Sequence, residues 1–136
     1  MKGRKEVRGP LWLETRDLLA IHDRLAALHG GARGVRDLGL LESALGRPRQ
    51  HYAYTDPPDF IEMAALYTVG IVRNHPFVDG NKRAGFVAGV LFLEMNGFNF
   101  QAFEEDAART VLDLAASKLT ESEYAAWLRA NTKRQR

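Results

Sequence analysis

The chain has 136 residues, of which 46% are hydrophobic and 26% charged, and it carries a formal net charge of +2 with no cysteine. This composition is typical of one folded domain and argues against an intrinsically disordered chain. The lack of cysteine excludes disulfide bonds and thiolate metal sites, and the apolar stretches are too short for a transmembrane helix. Residues 1–5 are basic but lack the apolar stretch of a signal peptide. We therefore expect one cytoplasmic domain over residues 1–136, with no membrane partner.

Hydrophobic residues recur at helical spacing along most of the chain. Gly30 and Gly31 follow the first such segment, Asp37 precedes the second, and Pro48 is expected to end it. The predicted fold class is all-α, a compact bundle of about six helices, with helices over residues 15–28, 38–47, 60–74, 82–96, 104–118 and 124–131. Short extended pieces are expected only at residues 11–13 and 98–103.

The segments outside these helices are predicted to be irregular. Residues 47–58 are bounded by prolines and contain Tyr52 and Tyr54, which favours a loop. Basic residues concentrate at both ends, and we expect residues 1–8 and 132–136 to be frayed and solvated. The alternative is attraction to nucleic acid or to an acidic protein. Neither end contains an aromatic residue that could stack on a base, so direct DNA binding is not expected.

Residues 75–83, with the sequence His-Pro-Phe-Val-Asp-Gly-Asn-Lys-Arg, carry the strongest chemical signal. They place an imidazole and a carboxylate before a Gly-Asn turn and two cations, directly in front of an apolar helix. The first N–H groups of a helix lack intrahelical partners and lie at the positive end of its dipole, so they can bind an anion. The combination indicates transfer of a phosphate group from a nucleotide. The simpler interpretation is a helix capped by Asp79 or Asn81, with Lys82 and Arg83 in solvent.

Each residue of the motif fits a role in phosphoryl transfer. His75 is the candidate general base, because neutral imidazole is abundant near pH 7. Asp79 is the candidate Mg²⁺ ligand, since one carboxylate with phosphate oxygens and water commonly holds magnesium. The candidate phosphate-binding groups are the backbone of Gly80 and Asn81, the point charge of Lys82 and the bidentate guanidinium of Arg83.

The motif resembles the signature of Doc (death on curing) toxins, the short branch of the Fic superfamily. The resemblance spans about residues 11–100, because flanking segments follow the family's order: residues 21–23, 30–31, 34–37, 41–44, 47–48, 91–93 and 96–97. It implies a Fic/Doc-type helical bundle with the motif loop between two central helices.

The resemblance also implies a reaction. In the wider superfamily the histidine is the base, the acidic residue holds Mg²⁺, and most members transfer AMP to a protein hydroxyl. Here Lys82 stands in place of the second glycine of their turn, and Phe86 in place of their second arginine. Both departures are those of the Doc branch, which is implied to transfer the γ-phosphate of ATP to a threonine of elongation factor Tu and so to arrest translation. Protein AMP transfer and a non-catalytic binding role are the alternatives.

Residues outside the motif receive weaker assignments. Arg73 matches a Doc-branch arginine and is a candidate phosphate ligand, although a cation at a helix C-terminus has a structural explanation too. By resemblance, residues 47–58 correspond to a flap that aligns the target, with Tyr52 and Tyr54 as candidate residues and surface packing as the alternative. His22 and His29 lie seven residues apart without a third ligand, so we expect a buried hydrogen bond for His22 rather than a metal site.

The implied partner is a cognate antitoxin, as in a type II toxin–antitoxin system. A disordered tail of the antitoxin is expected to fold as a helix in a groove near the active site, and DNA contact is expected only through the antitoxin. Many Fic proteins carry an inhibitory motif in the same chain, but its nearest match here, at residues 117–121, is interpreted as accidental. Inhibition by a separate protein is therefore expected.

Overall fold

The computed structural model describes residues 9–135. Six helices and two short strands follow one another along the chain: α1 (Thr15–His29), α2 (Leu38–Tyr54), α3 (Phe60–Asn74), α4 (Asn81–Met95), β1 (Phe98–Phe100), α5 (Glu104–Ala115), α6 (Glu121–Ala130) and β2 (Thr132–Arg134). The predicted all-α bundle is confirmed. Within the described part of the chain, no helix is long and apolar enough to cross a membrane.

Helix α3 lies at the centre of the bundle, packed between α2 and α4, with α6 also against it. Small residues allow the close approach of these helices. A Cβ atom added to Gly70 would lie 3.0 Å from the Ala44 Cβ, and one added to Gly89 would clash with the Thr68 Oγ1. Any larger side chain at these positions would push the helices apart. The predicted bounds of α3, residues 60–74, are confirmed, and the Asp59 carboxylate caps the first turn of α3.

Helix α2 does not end before Pro48 as predicted. It continues to Tyr54, and Pro48 is buried in its interior against the bundle. A proline inside a helix costs about 3 kcal/mol, which packing of the apolar face can offset. The far end of α2 is fixed by a 3.0 Å hydrogen bond from the Asp59 N–H to the His51 Nε2. The predicted loop at 47–58 is therefore wrong, and the connection is only residues 55–59.

The C-terminal segment is ordered as a strand rather than frayed. Thr132–Arg134 pairs in antiparallel register with Phe98–Phe100, and the Arg134 guanidinium lies over the Phe98 ring at 4.8 Å. The expectation of a frayed end is therefore wrong for residues 132–134. The expectation for residues 1–8 lies outside the described residues. The weak strand expected at 11–13 does not form; there the Leu13 N–H donates to the Tyr67 hydroxyl at 3.1 Å.

Candidate active site

The motif loop joins the C-terminus of α3 to the N-terminus of α4, and it begins with His75 in an unusual backbone conformation. His75 has φ 55° and ψ 51°, in the left-handed region that a non-glycine residue adopts at a cost of about 1–3 kcal/mol. Two groups hold it there. Its N–H donates to the Ile71 carbonyl at 3.1 Å, and its own carbonyl accepts a 2.6 Å hydrogen bond from the Arg36 Nε.

Arg36 reaches this site from the segment between α1 and α2. Its second guanidinium nitrogen donates to the Asn74 carbonyl at 2.9 Å, and its backbone N–H donates to the Pro76 carbonyl at 2.7 Å. A cation on the last carbonyls of a helix is favoured by the helix dipole as well as by hydrogen bonding. Arg36 thus fixes the end of α3 from which the imidazole of His75 projects. This role of Arg36 was not predicted from the sequence.

Asn81 holds the loop closed from the other side. Its side chain is 3% exposed. The Asn81 Oδ1 accepts a hydrogen bond from the Phe77 N–H at 2.9 Å, while its Nδ2 donates to the Phe77 carbonyl and to the His75 Nδ1, both at 3.0 Å. This side chain is fully engaged within the loop. Any contribution of Asn81 to phosphate binding would come from its backbone N–H, as the sequence analysis expects.

His22 packs against the motif loop from α1. Its ring stacks on Phe77 with the centroids 4.0 Å apart and the planes 4° from parallel, and its Nε2 lies 2.7 Å from the Asp79 carbonyl. A carbonyl can only accept, so the Nε2 of His22 carries a proton. The buried hydrogen bond predicted for His22 is confirmed. Within residues 9–135 no cluster of metal-ligating side chains includes His22 or His29.

The N-terminus of α4 is open. Its N-cap is Gly80, with φ 79°, and no side chain among residues 9–135 caps the helix. Neither Asp79 nor Asn81 fills this role, because the Asp79 Oδ1 turns back to accept from the Gly80 N–H at 2.8 Å and Asn81 faces the loop. The N–H groups of the first turn of a helix have no intrahelical partner, and in α4 this turn carries the exposed Lys82 and Arg83. The cap expected from Asp79 or Asn81 is therefore wrong, the expected exposure of Lys82 and Arg83 is confirmed, and anion binding at this helix N-terminus stays a prediction.

Asp79 lies against the segment that follows α1. Its Oδ2 is 3.4 Å from the Ala32 N–H, and a Cβ atom added to Gly31 would lie 2.7 Å from the same oxygen. Gly31 also has φ 103°, so a larger residue there is disfavoured by both space and backbone conformation. A cavity of about 20 Å³, lined by residues including His22, Gly31, Asp79 and Arg83, lies beside the carboxylate. That volume is enough for one water molecule.

The donors at Asp79 fit magnesium bound together with a nucleotide. Across residues 9–135, no three His, Cys, Asp or Glu side chains come together to hold a metal by themselves. Asp79 is exposed, and a single exposed carboxylate leaves the other coordination positions to phosphate oxygens and water. Mg²⁺ keeps several water ligands. This arrangement therefore fits Mg²⁺ better than it fits a metal ion held entirely by protein side chains.

Comparison with known proteins shows which family this chain matches. Residues 12–93 match the model of the Fic/DOC family. The chain is 34% identical to "Protein kinase doc" of Escherichia phage P1 over 114 residues, which are 83% of this chain and 89% of that protein. It is 37% identical to "Toxin Doc" of Mycolicibacterium smegmatis over 91 residues, 65% of this chain and 70% of that protein.

The chain belongs to the Fic/Doc family.

In this Fic/Doc chain, the segment beside the motif is residues 30–37, not the end of α2. Val35 forms an antiparallel bridge with Phe77, and the Val78 N–H donates to the Gly34 carbonyl at 3.0 Å. Val35 and Val78 are 38% and 53% exposed, so this short pairing lies at the surface next to His75. The glycines at 30, 31 and 34 and the turn at 34–37 were visible in the sequence, but their position against the motif was not.

Tyr52 and Tyr54 lie far from the motif loop. Both belong to the last turn of α2, and that end of α2 is tied to the start of α3, whereas the motif follows the end of α3. The 15 residues of α3 separate these ends by about 22 Å. Tyr52 packs edge-on against Trp12 with ring centroids 5.7 Å apart, and Tyr54 is 88% exposed. The assignment of a flap to residues 47–58 is therefore corrected: a long helix occupies most of that segment.

A groove runs from the motif along α4. It has a volume of about 1110 Å³ and lies between α1, α4 and α5, with Lys82 and Arg83 at one side. Its apolar lining includes Leu25, Phe86, Val87, Phe100, Val111 and Leu112. Arg73 lies outside this lining, exposed in the last turn of α3. That position is compatible with both of its predicted roles.

Proposed function

We propose that this chain is a Doc-type toxin that transfers the γ-phosphate of ATP, with Mg²⁺, to a protein hydroxyl. The observation that carries this proposal is the uncapped N-terminus of α4 beside His75 and Asp79. An open helix N-terminus, an imidazole and an exposed carboxylate on one nine-residue loop are the groups that phosphoryl transfer needs for positioning and charge stabilisation. The names of the two relatives, a protein kinase and a toxin, agree with it.

The phosphates of ATP would bind at the start of α4. The free N–H groups at the helix N-terminus and the positive end of the dipole favour the anion, while the exposed Lys82 and Arg83 add charge. Asp79 would hold Mg²⁺, which supplies charge neutralisation on the phosphate oxygens. Lys82, the second residue of α4, stands where the wider superfamily has a second glycine, and its side chain disfavours the close diphosphate contact needed for AMP transfer. Phe86 likewise offers no guanidinium.

His75 would remove the proton from the attacking hydroxyl. In the resting structure its backbone is held by Arg36 and Ile71 and its ring by Asn81, which keeps the imidazole beside the start of α4 where the phosphates would bind. A positioned base of this kind is typically worth about 10²–10⁴ in rate. The exposed pair Val35 and Val78 beside it would align the target segment in an extended conformation, the role that the sequence analysis placed at residues 47–58.

The proposed target is a threonine of elongation factor Tu, whose phosphorylation would arrest translation. The proposed regulator is a cognate antitoxin whose tail folds as a helix in the apolar groove along α4. The groove supports this because it has a volume of about 1110 Å³, is largely apolar, and includes Lys82 and Arg83 in its lining. A helix seated there would approach the phosphate site.

Incubation with purified elongation factor Tu, ATP and Mg²⁺ tests the proposal. We expect phosphothreonine on the factor in a one-to-one ratio, and none with the His75→Gly variant. If the factor stays unmodified while another protein in a bacterial lysate gains phosphate, the target is wrong and the reaction stands. If no protein gains phosphate or AMP, the enzymatic proposal fails and a binding role is favoured.

A further inference from the structure

We infer that Asn81 is a positioning residue that sets the tautomer of His75, so that the resting imidazole carries its proton on Nε2. The geometry begins with the Asn81 amide. Its Oδ1 faces the Phe77 N–H at 2.9 Å, which can only donate, and its Nδ2 faces the Phe77 carbonyl at 3.0 Å, which can only accept. These two contacts fix which end of the amide is nitrogen, because the flipped amide would lose both.

The fixed amide then determines the state of the imidazole. Asn81 Nδ2 lies 3.0 Å from His75 Nδ1, and an amide nitrogen can only donate. His75 Nδ1 must therefore accept, and it carries no proton. A neutral imidazole has one N–H, so the proton is on Nε2.

The state of Nε2 matters for the proposed reaction, on which this part of the inference rests. A protonated Nε2 donates a hydrogen bond and cannot take a proton from a hydroxyl. To act as a base there, His75 must move one proton from Nε2 to Nδ1 through solvent, with no net change in charge, and Asn81 must release Nδ1. Asn81 thus keeps His75 in a resting form, and release of this hydrogen bond precedes base catalysis.

The other histidines provide internal references for the two tautomers. His22 Nε2 donates to the Asp79 carbonyl at 2.7 Å, so His22 has the tautomer inferred for His75. His51 Nε2 accepts from the Asp59 N–H at 3.0 Å, so a neutral His51 has the opposite tautomer, with its proton on Nδ1. The nitrogen chemical shifts of a protonated and an unprotonated imidazole nitrogen differ clearly. One nitrogen-15 NMR spectrum of the whole chain therefore contains the chemical-shift pattern of each tautomer.

The test is nitrogen-15 NMR of the histidine-labelled protein, at a pH where the imidazoles are neutral. His75 signals are assigned by their loss in His75→Gln. We expect the pattern of His22 for His75, with Nδ1 unprotonated, and a scalar coupling across the hydrogen bond from Asn81 Nδ2 to His75 Nδ1. A protonated Nδ1 on His75 in the wild-type protein would overturn the inference. The measurement needs no ATP and no target, so its result is independent of whether the proposed reaction is right.

Two variants test the role of Asn81 itself. Asn81→Asp keeps the oxygen that faces Phe77 but replaces the donor toward His75 with an acceptor, so His75 should change to the pattern of His51. If the folded variant keeps Nδ1 unprotonated, Asn81 does not set the tautomer. If the variant does not fold, the coupling in the wild-type protein decides, and its absence counts against the inference.

Asn96→Asp is the matched control. The Asn96 Oδ1 accepts from the Leu11 N–H at 2.8 Å, and its Nδ2 donates to the carbonyls of Leu11 and Phe92. Its hydrogen bonds therefore have the same pattern, about 22 Å away along α4 and without an imidazole. We expect no change in the His75 signals of this variant. A change equal to that of Asn81→Asp would show a general loss of structure and overturn the assignment.

Discussion

The Arg36 Nε donates a 2.6 Å hydrogen bond to the carbonyl of His75, although the two residues are 39 positions apart. This contact joins the segment between α1 and α2 to the first residue of the motif loop. It holds His75 in its left-handed conformation and connects the surface beside the motif with the proposed base. Residues 30–37 are therefore part of the candidate site.

The first prediction concerns Arg36. Arg36→Ala removes two hydrogen bonds from a charged group to the end of α3, and we expect it to lower the free energy of unfolding by about 1.5–3 kcal/mol. Denaturant unfolding measures this. Arg33→Ala is the control, because Arg33 lies in the same segment but forms only an exposed ion pair with Asp23, which is worth at most about 1 kcal/mol. Equal losses for both variants would contradict the role of Arg36.

The second prediction separates backbone strain from chemistry at His75. Both His75→Gly and His75→Ala should lower transfer by about 10²–10⁴, because both remove the base. They should differ in stability, since alanine at φ 55° is strained and glycine is not. We expect the glycine variant to be more stable by about 1 kcal/mol in thermal unfolding. An alanine variant as stable as the glycine variant would argue against a left-handed residue 75.

The third prediction concerns Asp79 and magnesium. Asp79→Asn keeps the oxygen that accepts from the Gly80 N–H but loses the charge, so the loop should persist while Mg²⁺ no longer strengthens ATP binding. Calorimetric titration with ATP, with and without Mg²⁺, measures this. Asp23→Asn serves as the control for removal of an exposed charge nearby. A full Mg²⁺ effect in Asp79→Asn would exclude the ligand role.

The fourth prediction is a loss of stability in alkali that depends on Tyr124. Burial raises the pKa of Tyr124 above its usual value near 10, and the nearby Thr68 hydroxyl offsets only part of this. The unfolded chain then loses this proton at lower pH than the folded one, so stability is intact below pH 10 and falls as the pH rises beyond it. Tyr124→Phe should reduce that fall in unfolding experiments between about pH 9 and 11.

The same variant should cost little stability at neutral pH. Among residues 9–135, no group meets the distance and angle of a hydrogen bond to the buried Tyr124 hydroxyl, and the nearby Thr68 hydroxyl donates instead to the Gly85 carbonyl at 2.7 Å. Removing a buried, unsatisfied hydroxyl while keeping the ring is close to neutral or stabilising. A loss above about 1.5 kcal/mol would show that the hydroxyl has a partner, such as a buried water.

The bounds of the helices were predictable where local signals act alone. Asp59 caps α3 and the motif follows its end, and the predicted range was identical to the observed one. The end of α2 was missed because Pro48 breaks helices locally, whereas here the packed face of α2 carries the helix through it. The pairing of β2 with β1 was missed because it joins residues more than 30 positions apart, and neither strand is longer than three residues.

The candidate site, like the helices, was predictable where local sequence signals determine it and not where long-range contacts do. The residue types of the motif, and the order in which they occur, indicated an anion site, because these properties are local. The contacts of Arg36 and Asn81 were not readable in the same way, and for His22 the sequence predicted a buried hydrogen bond but not its partner. Each depends on a particular backbone conformation, such as the left-handed His75, or on a long-range contact that residue types alone do not specify. The target-aligning segment was placed at residues 47–58 by the family resemblance, since nothing in the sequence itself shows which segment lies beside the motif.

Transfer of label from ATP tests the central proposal most directly. The chain is incubated with Mg²⁺ and a bacterial lysate in two parallel reactions, one with ATP labelled at the γ-phosphate and one with ATP labelled at the α-phosphate. His75→Gly serves as the inactive control, and Lys82→Gly tests whether the turn selects the phosphate. We expect label on a protein only from the γ position, with loss of transfer and no efficient AMP transfer in Lys82→Gly. Label from the α position with the wild-type chain would show AMP transfer and contradict the proposed reaction.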